Sequence, residues 1–387
     1  MASCNNTTVQ DQRETPIHQD ILETVFSYVP LIHLVSASHV SHAWSRAVST
    51  SLRHVNPIKP WLTLHFQNRR APHLINTFAY DPRSRAWFQI HAPHPTHTSA
   101  LRASHSSLLY TLSPSEFAFS LDPLHLHWHH AVPPRVWRID PIVARVGARI
   151  VVAGGACDFE DDPLAVEIYD TESRTWTRCQ SMPAILKDSS ASTWLSAAVA
   201  GERMYVMEKN SGVTYSFDCN TMTWQGPLEL RPNRSVFHCV IGAIRGGLMV
   251  AGMVGEAENV KEVKLWEVKW GEALGSELGH WCEELTTIPK EMTVKIMGEG
   301  GGSIEVNWIG NSVYFQNRRE PEEIVVCEVA SGGGCEWESV SNVTVSDVSR
   351  MGRTVFCGAH VGLEDLKRAI KKNCVFVEKV TDKFKDG

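Results

Sequence analysis

The sequence Tyr-Asp-Thr-Glu-Ser-Arg-Thr-Trp at residues 169–176 is the clearest copy of a pattern that occurs four times in this chain. A large hydrophobic residue and an aspartate are followed by five intervening residues and a tryptophan. The same spacing occurs at Tyr80–Trp87, Leu121–Trp128 and Phe217–Trp224. Successive tryptophans of this set are 41, 48 and 48 residues apart. A period of about 40 to 50 residues is typical of a four-stranded propeller blade, so the chain is predicted to be mostly β.

Each copy of this pattern has the chemistry of a β-hairpin. Residues 165–169 alternate as the residues of a half-buried strand do. The aspartate is expected to accept hydrogen bonds from backbone N–H groups of the following turn. The tryptophan then opens the returning strand, where its ring packs between neighbouring sheets. Upstream, a buried strand at 149–153 ends at Gly154 and Gly155, where glycine allows positive φ and close approach of backbones.

Two later units lack the aspartate but keep a tryptophan, Trp281 in one and Trp337 in the other. With the four clear copies they predict about six blades over residues 60–360. A propeller needs its ends joined, because an open ring exposes edge strands. Trp61–Phe66 and Arg353–Cys357 are therefore expected to complete one shared blade.

This arrangement resembles the kelch repeat, and the resemblance covers roughly residues 60–360. It is strongest in the third unit, in the residues Gly154, Gly155, Tyr169, Asp170 and Trp176. The resemblance implies a kelch-like β-propeller of about six blades, with loops on two rims where function usually resides.

The N-terminal segment, residues 17–48, changes to a helical period. Its apolar residues recur at helical spacing up to Pro30 and then continue through a second stretch. Helices this short cannot bury their apolar faces alone, so a partner is expected. The segment resembles an F-box, the motif that docks substrate receptors onto the Skp-type adaptor of cullin-based ubiquitin ligases. The resemblance implies that the adaptor-binding residues are Ile17, Ile21, Leu22, Val25, Phe26, Val29, Pro30, Val40 and Trp44.

The segment departs from the F-box pattern at its start, where Ile17-His18 replaces the usual Leu-Pro and weakens one anchor. An alternative interpretation is that the helices merely cap the propeller. An F-box directly ahead of kelch-like repeats resembles the large F-box/kelch family of plants. The expected organisation is a disordered tail (1–15), an F-box-like docking module (16–55), a kelch-type propeller (60–360), and a short C-terminal helix and tail (361–387).

A short internal echo suggests where a target protein binds. Phe-Gln-Asn-Arg-Arg-Ala-Pro at 66–72 recurs as Phe-Gln-Asn-Arg-Arg-Glu-Pro at 315–321. Both copies follow a strand, in the first and last blades, which ring closure makes neighbours. We expect the two copies to lie on the same rim and to pair with carboxylates of a target. The target-binding candidates are Arg69, Arg70, Arg318 and Arg319. The alternative is a solvated loop repeated by blade duplication.

Composition narrows the partners and the compartment. The formal net charge of −6 argues against nucleic acid as the main partner. The sequence has no apolar run of 18 or more residues, so no membrane partner is expected. The first 15 residues lack the features of a secretory signal. The ten scattered cysteines form no Cys-x-x-Cys and indicate small buried hydrophobic residues. The expected location is intracellular, cytoplasmic or nuclear or both.

The sequence suggests no metal, cofactor or catalytic residue. His125, His127 and His129 alternate along a predicted strand and share one face, but no carboxylate or cysteine stands near them at ligand spacing. A solvated strand face is the favoured interpretation. No Gly-x-Ser-x-Gly is present, and no cysteine has a recognisable nucleophile context.

These observations favour a non-catalytic receptor, in which the helical module holds an SCF-type ligase and the propeller holds the substrate. Its mechanism is proximity, since it raises the effective concentration of target lysines beside the charged enzyme. One alternative is a propeller scaffold that docks partners without ubiquitin transfer. Another is an enzyme on a kelch-like propeller, such as a copper oxidase similar to galactose oxidase. Seven tyrosines, several in structural Tyr-Asp positions, make that enzyme the weaker interpretation.

Overall fold

The structure is a computed structural model in which the chain is described over most of its length. The described residues are 17–92, 99–104, 108–155, 162–187, 191, 193–272, 278–297, 304–319, 322–343 and 352–379. The tail expected over residues 1–15 lies outside them.

The N-terminal module is built from three short helices and one π-helical turn. They are α1 (Gln19–Tyr28), α2 (Leu31–Ala37), α3 (His42–Thr50) and the turn Ser51–Val55. Pro30 separates α1 from α2, because its ring removes the N–H that would continue α1 and presets φ for a new first turn. Ser41 caps α3, and its hydroxyl accepts a hydrogen bond from the Trp44 N–H at 3.2 Å.

The described residues after the module form six antiparallel sheets, each of four strands except for one added edge strand. Named from the innermost strand outward, blade 1 is β24 (Gly352–Ala359), β1 (Trp61–Asn68), β2 (Ile75–Asp81) and β3 (Ala86–His91), and blade 2 is β4 (Leu101–Ser104), β5 (Leu108–Leu112), β6 (Phe117–Ser120) and β7 (His129–Ala131). Blade 3 is β8 (Ile142–Val146), β9 (Arg149–Ala153), β10 (Val166–Asp170) and β11 (Thr175–Cys179), and blade 4 is β12 (Leu195–Ala200), β13 (Arg203–Glu208), β14 (Val213–Asp218) and β15 (Thr223–Glu229). Blade 5 is β16 (Val236–Ile244), β17 (Gly247–Glu256), β18 (Asn259–Glu272) and β19 (Leu278–Thr287), and blade 6, reached through helix α4 (Lys290–Met297), is β20 (Ile304–Ile309), β21 (Ser312–Asn317), β22 (Glu323–Val329) and β23 (Cys335–Ser341).

The six blades close into a ring. Each innermost strand contacts the next one around the axis, and β20 returns to β24. Closure is made by β24, the late strand, which pairs with β1 from Trp61 opposite Ala359 to Asn68 opposite Gly352. The predicted shared blade and the six-bladed propeller are confirmed.

The direction of the strands defines two rims. All innermost strands begin on one side, which also carries the turns between the second and third strands of each blade, and we name it the upper rim. The turns between the third and fourth strands lie on the opposite side, the lower rim.

The tryptophan pattern has a structural basis in three of its four copies. The large hydrophobic residue lies directly opposite the tryptophan across the hairpin, as Tyr80 does to Trp87, Tyr169 to Trp176 and Phe217 to Trp224. The indole N–H then donates to the preceding blade, from Trp176 to the Val132 carbonyl at 2.9 Å, for example. Each such tryptophan therefore joins two blades while it fills the space between them.

The second copy of the pattern matches in spacing but not in structure. In blade 2 the cross-strand partner of Phe119 is His129, whose ring stacks on it at 5.2 Å. Leu121 and Trp128 belong to a longer turn, in which His125 adopts a φ of 55°. The predicted alternating histidine strand is therefore wrong, since only His129 of the three lies in a strand.

The glycine pair behaves as predicted. Gly154 and Gly155 have φ of 60° and 68°. A Cβ on Gly155 would lie 2.4 Å from the Asp140 backbone, so only glycine fits that approach.

The C-terminal segment differs from the expected helix and tail. Helix α5 (Leu363–Lys371) forms where a helix was expected, but a further strand, β25 (Val375–Lys379), follows it. This strand pairs with β3 and becomes the outer edge of blade 1. The segment is thus part of the folded body and extends the blade that closes the ring.

Candidate functional site

Helix α1 carries an apolar stripe that faces solvent. Positions 21, 25 and 28 fall on one side of α1 because a helix turns every 3.6 residues, and Ile17 lies two residues before the helix begins. The large apolar side chains that remain exposed among residues 17–50 of the module, with their exposed fractions, are Ile17 (60%), Ile21 (54%), Val25 (50%), Tyr28 (79%) and Val40 (61%). Large apolar groups on a small exposed module mark an interaction surface.

The opposite face of α1 is part of the protein's core. Leu22 and Phe26 are 7% and 4% exposed, and the Phe26 ring meets the Trp44 ring edge-on at 5.2 Å. Val29 and Trp44 are partly buried against the same core, and Pro30 directly precedes α2. The nine predicted adaptor-binding residues therefore divide into an exposed group and a group that holds the module together.

That core is shared with the propeller. Buried residues of all three helices pack in one cluster with Trp61, Phe88 and Ile90 of blade 1 and with Leu366 of α5. Helix α2 contacts α5 directly. The module is therefore packed directly against blade 1 and shares its hydrophobic core.

A buried arginine fixes the module at the lower rim. Arg83, in the β2–β3 turn, donates hydrogen bonds to the carbonyls of Phe26 and Val29 at the end of α1. Its Nε donates to the Asn56 carbonyl at 2.9 Å. Asp81 accepts the N–H of Leu31 at 3.2 Å, in the first turn of α2. The end of one helix and the start of the next are thus both satisfied by a single propeller turn.

We name the contacts of Arg83 and Asp81 with the helical module the joint, and sequence reasoning missed it. In blade 3, Asp170 accepts hydrogen bonds from N–H groups of its own turn. Asp81, the equivalent residue of blade 1, also accepts the N–H of Leu31 in α2. Pro82-Arg83 after that aspartate was the available signal, but an arginine in a turn ordinarily faces solvent.

The predicted target-binding arginines lie on the upper rim, opposite the module. Arg69 and Arg70 are in the β1–β2 turn, Arg318 and Arg319 are in the β21–β22 turn, and all four are exposed. The two turns share one device. The Asn68 side chain accepts the N–H of Arg70 at 2.8 Å, and the Asn317 side chain accepts the N–H of Arg319 at 2.9 Å. Blades 1 and 6 are neighbours, as the prediction required.

The two turns differ in charge. Arg318 makes a bidentate pair with Glu305, at 2.9 and 3.2 Å. Arg69 has a different neighbour, since Arg353 stands at the position of blade 1 that Glu305 occupies in blade 6. Each is the second residue of its innermost strand. Sequence reasoning missed Arg353, because ring closure alone brings it beside residue 69.

Comparison with known proteins adds to this geometry. The F-box domain family matches residues 17–56, and the Kelch motif matches residues 137–183. An F-box/kelch-repeat protein of Arabidopsis thaliana is 42% identical over 381 residues, covering 95% of each chain. The protein belongs to the F-box/kelch-repeat family. A second Arabidopsis protein, provisionally described as an F-box/kelch-repeat protein, is 28% identical over 122 residues and 30% of each chain.

Membership of the F-box/kelch-repeat family indicates a general role. Proteins of this family generally act in SCF-type E3 ligases, as adaptor subunits and not as catalysts. An F-box domain in general binds a Skp-type adaptor. The match over residues 17–56 runs from the first exposed residue of the α1 stripe to Asn56 in the joint with blade 1.

A solved structure gives a weaker likeness. A Bacteroides uniformis protein provisionally described as a 6-phosphogluconolactonase shows a TM-score of 0.40 at 11% identity, over 73% of this chain and 83% of that chain. That likeness is too slight to bear on function.

The described cysteines of this F-box/kelch-repeat protein have no activated thiol. Burial raises the pKa of every one of the eight described cysteines, for example to about 11 at Cys179 and to about 12 at Cys239. Among the described residues no group of three or more His, Cys, Asp or Glu side chains is placed to hold a metal ion. No helix in the described part of the chain is long and apolar enough to cross a membrane.

Proposed function

We propose that this protein is the substrate-recognition subunit of an SCF-type E3 ubiquitin ligase. Its F-box module docks the Skp-type adaptor, and through it the cullin, while the propeller binds a target protein. The observation that carries the proposal is the exposed apolar stripe of α1, on a module that matches the F-box and is packed against the propeller.

The stripe explains why the module needs a partner. Ile21 and Val25 are each about half exposed, so an adaptor can still remove substantial apolar surface from water at each of them. Burying half of such a side chain is worth about 1 kcal/mol. The proposed contact residues are the exposed group, Ile17, Ile21, Val25, Tyr28 and Val40, and Trp44 and Pro30 border it. Leu22, Phe26 and Val29 act by supporting the helix from inside.

The joint explains how docking would serve a receptor. A receptor accelerates transfer by holding a target lysine near the charged enzyme, and a fixed geometry makes that proximity effective. Arg83 and Asp81 hold the module at the lower rim, so the upper rim is directed away from the adaptor. Target and adaptor would then occupy opposite rims without obstructing each other.

The test is co-purification of the full chain with a Skp-type adaptor. Wild type is expected to capture the adaptor, and an Ile21→Asp/Val25→Asp variant is expected to lose capture because it places two charges in the apolar contact. Gln19→Asp is the matched control, since it adds a charge to the same helix on the side away from the stripe. Leu22→Asp is not a useful probe, because it buries a charge in the shared core.

Retained adaptor capture by Ile21→Asp/Val25→Asp would refute the assignment of the stripe. No capture by wild type would favour the alternative function, a non-ligase scaffold. The replacement of the usual Leu-Pro by Ile17-His18 would then account for the loss of adaptor binding.

A further inference from the structure

A cluster of cationic side chains surrounds the upper mouth of the propeller channel. Arg353 and Arg102 are each the second residue of an innermost strand, β24 and β4, and all innermost strands begin at this rim. Arg69 and Arg318 lie in upper-rim turns of blades 1 and 6, and Lys209 follows β13 of blade 4 on the same rim. We name these five residues the mouth cluster.

The members of the mouth cluster are close enough to feel one another's charge. Burial lowers the pKa of the Arg353 guanidinium, and the charges of Arg102 and Arg69 lower it further. Burial lowers the pKa of Lys209 to about 8, and the charge of Arg318 adds to this effect. Like charges held together in a partly buried site are unfavourable unless an anion joins them.

The carboxylates near the mouth compensate only part of this charge. Asp140 pairs with Arg102 at 2.9 Å, and Glu305 pairs with Arg318 at 2.9 Å. In blade 1 Arg353 stands where blade 6 has Glu305, so Arg69 adds positive charge near Arg353, and the charge of Asp140 opposes this effect only in part. Five cations and these two carboxylates concentrate positive charge at one mouth of a chain whose formal net charge is −6.

The residues of the mouth cluster are spread widely enough to contact an extended ligand. Its members come from blades 1, 2, 4 and 6, so they surround the mouth and do not enclose a single point. The guanidinium groups favour bidentate partners such as carboxylates. A segment carrying several Asp or Glu residues could cross the mouth and meet cations on both sides.

We propose that the mouth cluster binds an acidic segment of the target, with Arg69 and Arg353 as its principal contacts. This inference rests on the proposed receptor function and names the chemistry of its substrate. It extends the arginine patch expected from the internal echo to Arg102, Arg353 and Lys209. It also ranks the arginines, because Arg318 is already paired with Glu305, whereas Arg69 lies near a second cation, Arg353.

The test uses the purified full chain and a short fluorescein-labelled peptide of alternating Glu and Gly, followed by fluorescence anisotropy. Wild type is expected to bind this peptide and not its Gln counterpart, with affinity that falls as salt is raised. Arg69→Gln/Arg353→Gln is expected to weaken binding about tenfold. Arg145→Gln/Arg174→Gln removes the same charge from two exposed positions at the lower rim of blade 3, one next to the end of β8 and one in the β10–β11 turn. This variant is expected to change binding less than about twofold.

Three results would overturn the proposal: equal binding of the Glu and Gln peptides, equal binding by wild type and Arg69→Gln/Arg353→Gln, or an equal loss in the lower-rim control. A phosphoserine peptide that binds about a hundredfold more tightly than the Glu peptide would assign the site to a phosphorylated segment and contradict the carboxylate assignment. The assay contains no adaptor, so its failure is distinct from failure of adaptor capture.

Discussion

Replacing Arg83 with alanine is expected to loosen the F-box module from the propeller. The Arg83 side chain is buried and donates to the carbonyls of Phe26, Val29 and Asn56. A hydrogen bond from a charged donor contributes about 1.5 to 3 kcal/mol, so the three together contribute about 4.5 to 9 kcal/mol. Desolvation of the guanidinium, which lowers the pKa of Arg83, and water entering the vacated space offset about half of this. The expected loss is therefore about 3 kcal/mol in the free energy of opening the module.

Native-state hydrogen exchange measures this quantity. Amides of α1 and α2 that exchange through opening of the module should exchange about a hundredfold faster in Arg83→Ala, since each 1.4 kcal/mol is about tenfold. Amides of blades 3 and 4, which are remote from the joint, should exchange at unchanged rates.

Arg85→Asn is the matched control in the same turn. Arg85 is 75% exposed and pairs with Glu338 at 2.9 Å, and asparagine tolerates its φ of 56°. The expected change is below about 0.5 kcal/mol. Equal exchange of α1 in wild type and Arg83→Ala would refute the joint, as would an equal effect of Arg85→Asn.

Three further outcomes are expected. Gly155→Ala should lower the free energy of unfolding by more than about 3 kcal/mol in denaturant titration, because its Cβ would meet backbone at 2.4 Å. Gly147→Ala, with open space around it, should lower it by only about 1 kcal/mol, and similar losses in the two variants would contradict this prediction. Ending the chain at Lys372 removes the β25 edge strand and should lower stability by about 2 kcal/mol, measured as a lower denaturant midpoint; an unchanged midpoint would show that the strand is dispensable. Lys209 has a pKa of about 8 against an ordinary 10.5 and loses its charge as pH rises, so affinity for the Glu peptide should fall about twofold from about pH 7 to about pH 9. A fall of the same size in Lys209→Arg would exclude this lysine as the cause.

The repeat made the propeller predictable because its chemistry is local. An aspartate that orders a turn and a tryptophan opposite a large hydrophobic residue need only one hairpin, as at Tyr169 and Trp176. Spacing alone was an imperfect guide, since Leu121 and Trp128 share it without the pairing. In blade 6 the pairing persists without the aspartate, with Cys327 opposite Trp337.

The candidate surfaces were less predictable, because they depend on contacts between distant parts of the chain. Helical spacing identified the apolar residues of α1 but could not say which of its two apolar faces would meet the propeller. Leu22 and Val25 look alike in sequence, and only the position of blade 1 and α5 separates them. The encounter of Arg69 with Arg353 likewise exists only in the closed ring.

The central claim is that one rigid chain offers the α1 stripe to the adaptor and the upper mouth to the target. Hydrogen exchange of the full chain with and without a Skp-type adaptor tests it most directly. We expect the adaptor to slow exchange in residues 17–44 and to leave the upper-rim turns at 69–74 and 209–212 unchanged. Protection of those turns, or no protection of residues 17–44, would contradict the account.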